Sequence, residues 1–408
     1  MIKKLLLAAL LTCIATAAHA QVATPNLDQG FYTSTPAAAG WRYNSTISLD
    51  AISADGDVII ADETEGTIDA GLKADGPDDS GSNPALLAVY KTGAFAAELW
   101  TSTTNGVNQD LEFDLPGMPT ATLANAANIA GKVYLNKNVT KEEVKDTKLS
   151  FAYVFAETLS VGFGYHSNVN KREETVKGKV LGVNQQVNPP VLFTLSYDKA
   201  TETEITTVGT SLDTSWRFAD IFYLAGGVEA VKQTGTHKYI ENAPHPLTGL
   251  PVKTVADLDY VENSWMNTNV GIGLVTGEPD GTQFKLEYSM ISSPESVEEA
   301  SDGDVASLHP KTTTTFITAE VKFSNVVLGF HREVELEKEL EELNDQETET
   351  IITHAGLSWY PLEGMTLSLY SVAQEKKITK PYMGAAATAL EEISIEPKGY
   401  RLFVGYNF

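Results

Sequence analysis

Six times along this chain, two short stretches of period-two alternation stand back to back, separated by only a few turn-forming residues. The clearest is LSFAYVFAETLSVGFGYHS, where Leu149, Phe151, Tyr153 and Phe155 alternate with Ser150, Ala152, Val154 and Ala156. After Glu157 and Thr158, Leu159, Val161, Phe163 and Tyr165 alternate with Ser160, Gly162, Gly164 and His166. Successive side chains of a strand point to opposite faces, so each stretch predicts a strand with one apolar face and one small or polar face. The short break makes each pair a hairpin. The other five pairs are PALLAVY with AFAAELW around Thr92-Gly93, TSWRF with IFYLAGGV around Ala219-Asp220, VGIGLV with QFKLEYSM around Glu278 to Asp280, FITAEVKF with VVLGFHREV around Ser324-Asn325, and THAGLSWY with MTLSLYSV around Pro361 to Gly364. A first strand at GWRYNSTISL (40–49) and a last at GYRLFVGYNF (399–408) bring the expected total to fourteen. Two further segments, VLFTLSY (191–197) and IAGKVYLNKN (129–138), would raise it to sixteen as a pair.

Between the hairpins lie seven long polar segments, 51–83, 103–145, 168–208, 236–262, 292–311, 337–349 and 377–397. Short connections on one side and long acidic ones on the other are the asymmetry of a membrane barrel with short periplasmic turns and long extracellular loops. The expected fold is therefore all-β, a transmembrane antiparallel up-and-down β-barrel of about fourteen strands, sixteen being the alternative. In lipid every backbone polar group must be satisfied within the protein, so such a sheet has to close. A soluble β-sandwich would share the alternation but has no reason to place all its short turns on one side.

The chain begins MIKKLLLAALLTCIATAAHA, with Lys3 and Lys4, an apolar run and a small-x-small site at Ala18-His19-Ala20. That reads as a secretory signal peptide. The expected organisation is a signal at 1–20, a periplasmic or plug segment at 21–39 and a barrel at 40–408. Cys13 is the single cysteine and falls in the signal, leaving neither a disulfide framework nor a thiolate metal site. Without the two signal lysines, 27 basic residues face 54 acidic ones, which argues against nucleic acid as a partner. The acid concentrates in runs such as ESVEEASDGD (295–304) and EVELEKELEELNDQETET (333–350), expected to be solvated loops.

The last ten residues place bulky side chains at Tyr400, Leu402, Val404, Tyr406 and Phe408. This pattern resembles the C-terminal assembly signal of Gram-negative outer-membrane β-barrel proteins. The resemblance implies outer-membrane residence, contact with its lipid and lipopolysaccharide, and recognition by the barrel-assembly machinery. Trp41, Trp359 and Tyr360 lie near other expected strand ends, where aromatic girdles belong.

If the apolar positions face lipid, Arg42, Glu98, Asp213, Arg217, Lys285, Glu287, Glu320, Lys322 and Arg401 face the lumen. Five cations against four anions predict a nearly balanced interior. A barrel this wide is not filled by its own side chains, so water or a plug is expected there, with residues 21–39 and the alanine-rich TATLANAANIAGK (120–132) as plug candidates. Asp75, Asp78 and Asp79 near glycine are weak calcium candidates, lacking a full calcium-loop spacing. His166-Ser167-Asn168 offers hydrolytic residue types at the expected end of a strand, but neighbours on one strand point apart. His331 and His354 have no metal-site spacing. Neither an enzyme nor a cofactor is expected.

Asn83-Pro84-Ala85 just before a strand, the long third-strand loop and the LSVGFGY phrase are similar to the FadL-type transporters of long-chain fatty acids and other hydrophobic compounds. That resemblance implies an N-terminal hatch, although GWRYNSTISL reads as a strand where hatch would lie. The leading functional expectation is an outer-membrane channel or transporter passing small solutes in a porin-like manner. The alternatives are FadL-type transport of hydrophobic compounds and a non-transporting anchor or adhesin that uses its acidic loops.

Overall fold

The structure, a computed structural model, describes residues 36–41, 46–61, 83–105, 109–112, 133–155, 158–184, 191–218, 221–244, 251–277, 282–299, 305–338, 347–362, 365–379 and 392–407. The signal at 1–20, residues 21–35 of the plug candidate, the 120–132 segment, Arg42, the aspartates at 75, 78 and 79, and Phe408 lie outside them.

A 3-10 turn at Pro36–Trp41 comes first, then strands β1 (Thr46–Ala61), β2 (Asn83–Thr92), β3 (Phe95–Asn105), β4 (Gln109–Glu112), β5 (Val133–Phe155) and β6 (Leu159–Asn184). β7 (Val191–Phe218), β8 (Phe222–Pro244), β9 (Pro251–Gly277) and β10 (Gln283–Ser293) follow. A small pair, β11 (Ser296–Glu298) and β12 (Ser307–His309), precedes β13 (Lys311–Phe323), β14 (Val326–Lys338), β15 (Glu347–Trp359), β16 (Met365–Thr379) and β17 (Glu392–Asn407). Every pairing among the strands is antiparallel. Pairings run from β1 through β2 and β3 to β5, and on through β10, β13 and β16 to β17. β17 returns to β1 over Thr46 to Ala61, so fourteen strands form a complete ring, with β4 continuing the β3 flank beside β5.

These fourteen coincide with the strands expected from alternation. VLFTLSY is the far end of β7, and residues 133–138 of IAGKVYLNKN are the far end of β5, so neither adds a strand. Their connections turn where the sequence breaks: Gly93 and Ser324 take φ of 54° at the first turn position. A positive φ there matches the right-handed twist of flanking strands, as in II′ turns.

Three boundaries differ from expectation. Strand β1 starts at Thr46, so Gly40 and Trp41 belong to the 3-10 turn, and Trp41 is buried rather than part of a girdle. Much of the supposed loops at 103–145, 168–208 and 236–262 is strand, because β5 to β9 run for 23 to 28 residues. About 9–11 tilted residues cross the apolar band, so the remainder of each strand stands in water, where neither face need be apolar and hydrophobic alternation is silent. Likewise β14 continues to Lys338 and β15 begins at Glu347, which shortens the expected 337–349 loop at both ends.

Burial divides the sheet cleanly. Along β10, Phe284, Leu286 and Tyr288 are exposed on the outer face, while Gln283, Lys285, Glu287 and Ser289 are buried on the inner one. Phe155, Phe222, Phe323 and Trp359 are outward and exposed at the turn ends of their strands, where an aromatic girdle sits. At the C-terminus Tyr400, Leu402 and Val404 point outward and Arg401 inward; Tyr406 closes against Ile47 in register.

Candidate functional site: the inner face of the barrel

The 3-10 turn is seated inside the ring. Pro36 fixes its own φ, and Ala37 and Ala39 keep the turn thin. The wall it meets is made of small residues from β3, β5, β6 and β7, including Ala96, Ala152, Ser160, Gly162 and Ser215. A Cβ at Gly162 would collide with the Ala37 backbone, and one at Gly164 would strike the Pro36 ring. The Ser160 hydroxyl donates to the Ala37 carbonyl at 2.6 Å, and the Trp41 indole N–H donates to Ser215 Oγ at 2.8 Å. Trp41 packs on Tyr223, with Val154 and Val275 around them. Each neutral hydrogen bond contributes about 1 kcal/mol, and the buried indole adds to that. The small alternate residues that read as the polar faces of the first strands are thus a seat for the N-terminal segment.

Beside this seat lies a dense polar layer. Lys285 Nζ is 3.4 Å from Glu287 Oε2, and Glu287 neighbours the Tyr223 phenol. Across β13 and β14, Glu320 Oε1 is 3.5 Å from His331 Nε2, whose Nδ1 meets the Thr318 hydroxyl at 3.2 Å. His331 lies 5.7 Å from the Tyr370 ring, and Tyr370, Ser358 and Ser368 share a hydroxyl chain. Lys322 sits over the Tyr360 ring at 5.7 Å, and Arg401 faces this layer from β17.

On the adjoining strands β7 to β9, Asn269 donates to Asp213 at 2.6 Å, and Asn267 to Glu229 at 2.9 Å. His166 bridges two acids, with Nε2 2.9 Å from Asp146 and Nδ1 3.7 Å from Glu229. His166, Ser167 and Asn168 fall inside β6, not at its end, and Ser167 lies on the face opposite His166. Glu98 is buried on β3 and Arg217 is half-buried at the turn end of β7.

The inner charge differs from the balanced set expected. Among the described residues, Glu98, Glu142, Asp146, Asp213, Glu287, Glu320 and Glu333 are buried against only Lys285, Lys322, Lys376 and Arg401. The difference comes from the upper strands, read as loops. In EVELE, Glu333, Glu335 and Glu337 alternate with Val334 and Leu336. That alternation is the signal that would have placed these glutamates inward. Asn83-Pro84-Ala85 opens β2 at the end farthest from its turn, opposite Ile52 to Asp50 of β1. The motif therefore follows the first barrel strand instead of preceding the barrel.

The connection between β10 and β13 folds over the inner wall. A bulge in β9 opposite Thr234 frees the Val261 amide, which bonds to Val305 O at 2.9 Å. Asn263 donates to Ser296 O and receives from the Ser296 hydroxyl at 2.6 Å, while the Ser307 hydroxyl reaches Gln233. His309 stacks on Trp265 with ring centroids 3.8 Å apart and planes 9° from parallel.

No protein-family model and no curated protein sequence matches the chain. Among solved structures it is similar to a P. putida toluene transporter, TodX, at 11% identity and a TM-score of 0.51, covering 95% of each chain. It is similar to a Pseudomonas aeruginosa FadL homologue at 13% identity and 0.50, covering 92% of this chain and 93% of that one. It also matches the CymD monoaromatic hydrocarbon channel at 11% and 0.50, covering 92% and 91%. At these identities the likeness is one of fold: the described residues of this chain form an antiparallel fourteen-stranded β-barrel.

Proposed function

We propose that the protein resides in the outer membrane and carries small hydrophobic compounds past a plugged lumen. The observation that carries this reading is the Pro36–Trp41 turn, bonded to Ser160 and Ser215 inside the ring. A segment held there narrows the water path that a porin needs. The resemblance to a toluene transporter and a monoaromatic hydrocarbon channel supports the same reading. Under it, the acidic far ends of the strands meet the medium and the plug governs passage.

A porin-like reading draws on one observation, the polar inner face that includes Lys285, Glu287, Glu320 and Arg401. Two assays separate them. Cells with an intact lipopolysaccharide leaflet that express the protein take up toluene faster than cells without it, and liposomes holding the protein do not swell in arabinose. Rapid swelling with no gain in toluene uptake would replace this reading with the porin.

A further inference from the structure

We infer that the inner face of β14 binds the ammonium end of a hydrophobic amine, so that the cargo of this barrel includes organic cations. The assignment of this ligand as cargo rests on the transport reading above; the binding site itself does not.

Glu333 is buried on the inner face of β14, and Glu335 and Glu337, half-buried, follow it in a column on the same face by alternation. Glu333 stands in register between Phe316 on β13 and Ile352 on β15. Glu335 stands between Thr314, whose hydroxyl lies 3.5 Å from its Oε2, and Thr350. One step nearer the turn, His331 and His354 are paired directly. Two cations face the column, Lys148 from β5 toward Glu333 and Lys376 from β16 toward Glu335 and Glu337. Both lysines are shared with the facing wall, Lys148 with Glu229 and Lys376 with Glu142, which Arg172 also faces.

The column holds buried polar atoms that have no partner among the described residues. Glu333 Oε2, the Thr350 hydroxyl and both ring nitrogens of His354 are buried without a hydrogen-bond partner, in side chains 6%, 2% and 2% exposed. Thr350 is independent of the acids and lies directly across from Glu335 on the same face. An ammonium placed beside the stacked carboxylates would stabilise their ionised form and donate the hydrogen bond that Glu333 Oε2 lacks. The apolar flanks, Phe316 and Ile352, suit a hydrocarbon body attached to that donor. Among the described residues no three ligating side chains converge as a metal ion would require, which favours an organic cation. A carboxylate cargo would meet repulsion in the same place.

The test uses three ligands of matched size, benzylammonium, benzyl alcohol and benzoate, titrated calorimetrically at pH 7 into the full-length protein in lipid nanodiscs. Benzylammonium should bind more tightly than benzyl alcohol by on the order of tenfold, the scale of a charge-assisted hydrogen bond, and benzoate should give no heat. The triple variant Glu333→Gln, Glu335→Gln, Glu337→Gln should lose the preference while still binding the alcohol; Phe316→Ala, which leaves all charges in place, should weaken both amine and alcohol. Equal affinity for amine and alcohol, preference for benzoate, or a preference that survives the triple variant would overturn the inference. Toluene uptake without amine binding would leave transport standing and remove this site, whereas amine binding in a protein that takes up no toluene would do the reverse.

Discussion

Leu369 is 53% exposed on β16, between the buried Ser368 and Tyr370. If that face meets hydrocarbon, a charge there is costly: Leu369→Arg should destabilise the folded barrel by about 2–4 kcal/mol, measured by urea titration in lipid vesicles. A change near zero would mean the face is solvated. His309 supplies a pH test outside the membrane band, since Trp265 lies near the middle of the 27-residue β9. Burial pushes the His309 pKa down to about 4, against an unfolded value near 6.5. Between those values the unfolded form takes up a proton that the stacked ring refuses, so stability present above about pH 6.5 is lost as pH falls toward 4. Acidification should therefore release the β11–β12 segment, read as a change in tryptophan fluorescence. His309→Phe should flatten that dependence; an unchanged profile in the variant would exclude the stack as its source. The inward residues near the turns, such as Lys285 and Glu320, were legible in the sequence because apolar neighbours mark the alternation. Trp41 was not, since an aromatic beside glycine reads equally as a strand end or a plug.

At the scale of elements, the hairpins near the membrane were legible and the extensions of β5 to β9 were not. Above the band both faces of a strand are wetted, and KREETVKGK in β6 carries no apolar period. What holds such a segment is its ladder, continuous from Leu159 to Asn184 against β7, with cross-strand pairs such as Lys171 to Glu204 at 2.9 Å. That pair is exposed and screened by solvent, so the ladder matters more than the charges. Limited trypsin digestion of intact cells checks this. A loop would be cut quickly at Lys171, Arg172 and Lys177, whereas paired strands should resist while the barrel is folded. Rapid cleavage there would contradict the extended strands.

For the whole molecule, ring closure follows from the chain meeting itself: β1 pairs with β17 and β3 with β5, so the membrane-facing sheet has no free edge. The strand number was legible because each turn leaves a break in the alternation. The state of the lumen was not, because it depends on how a short segment of alanines and one tryptophan meets serines and glycines more than a hundred residues away. The Pro36–Trp41 segment occupies the barrel, bonded to Ser160 and Ser215 of its wall. Single-channel recording in a planar bilayer tests it, comparing the protein with a variant lacking residues 21–41. The intact protein should show no stable ionic steps and the deletion should show them, with cation preference from the acid-rich inner wall. Steady, large steps from the intact protein, unchanged by the deletion, would contradict the account.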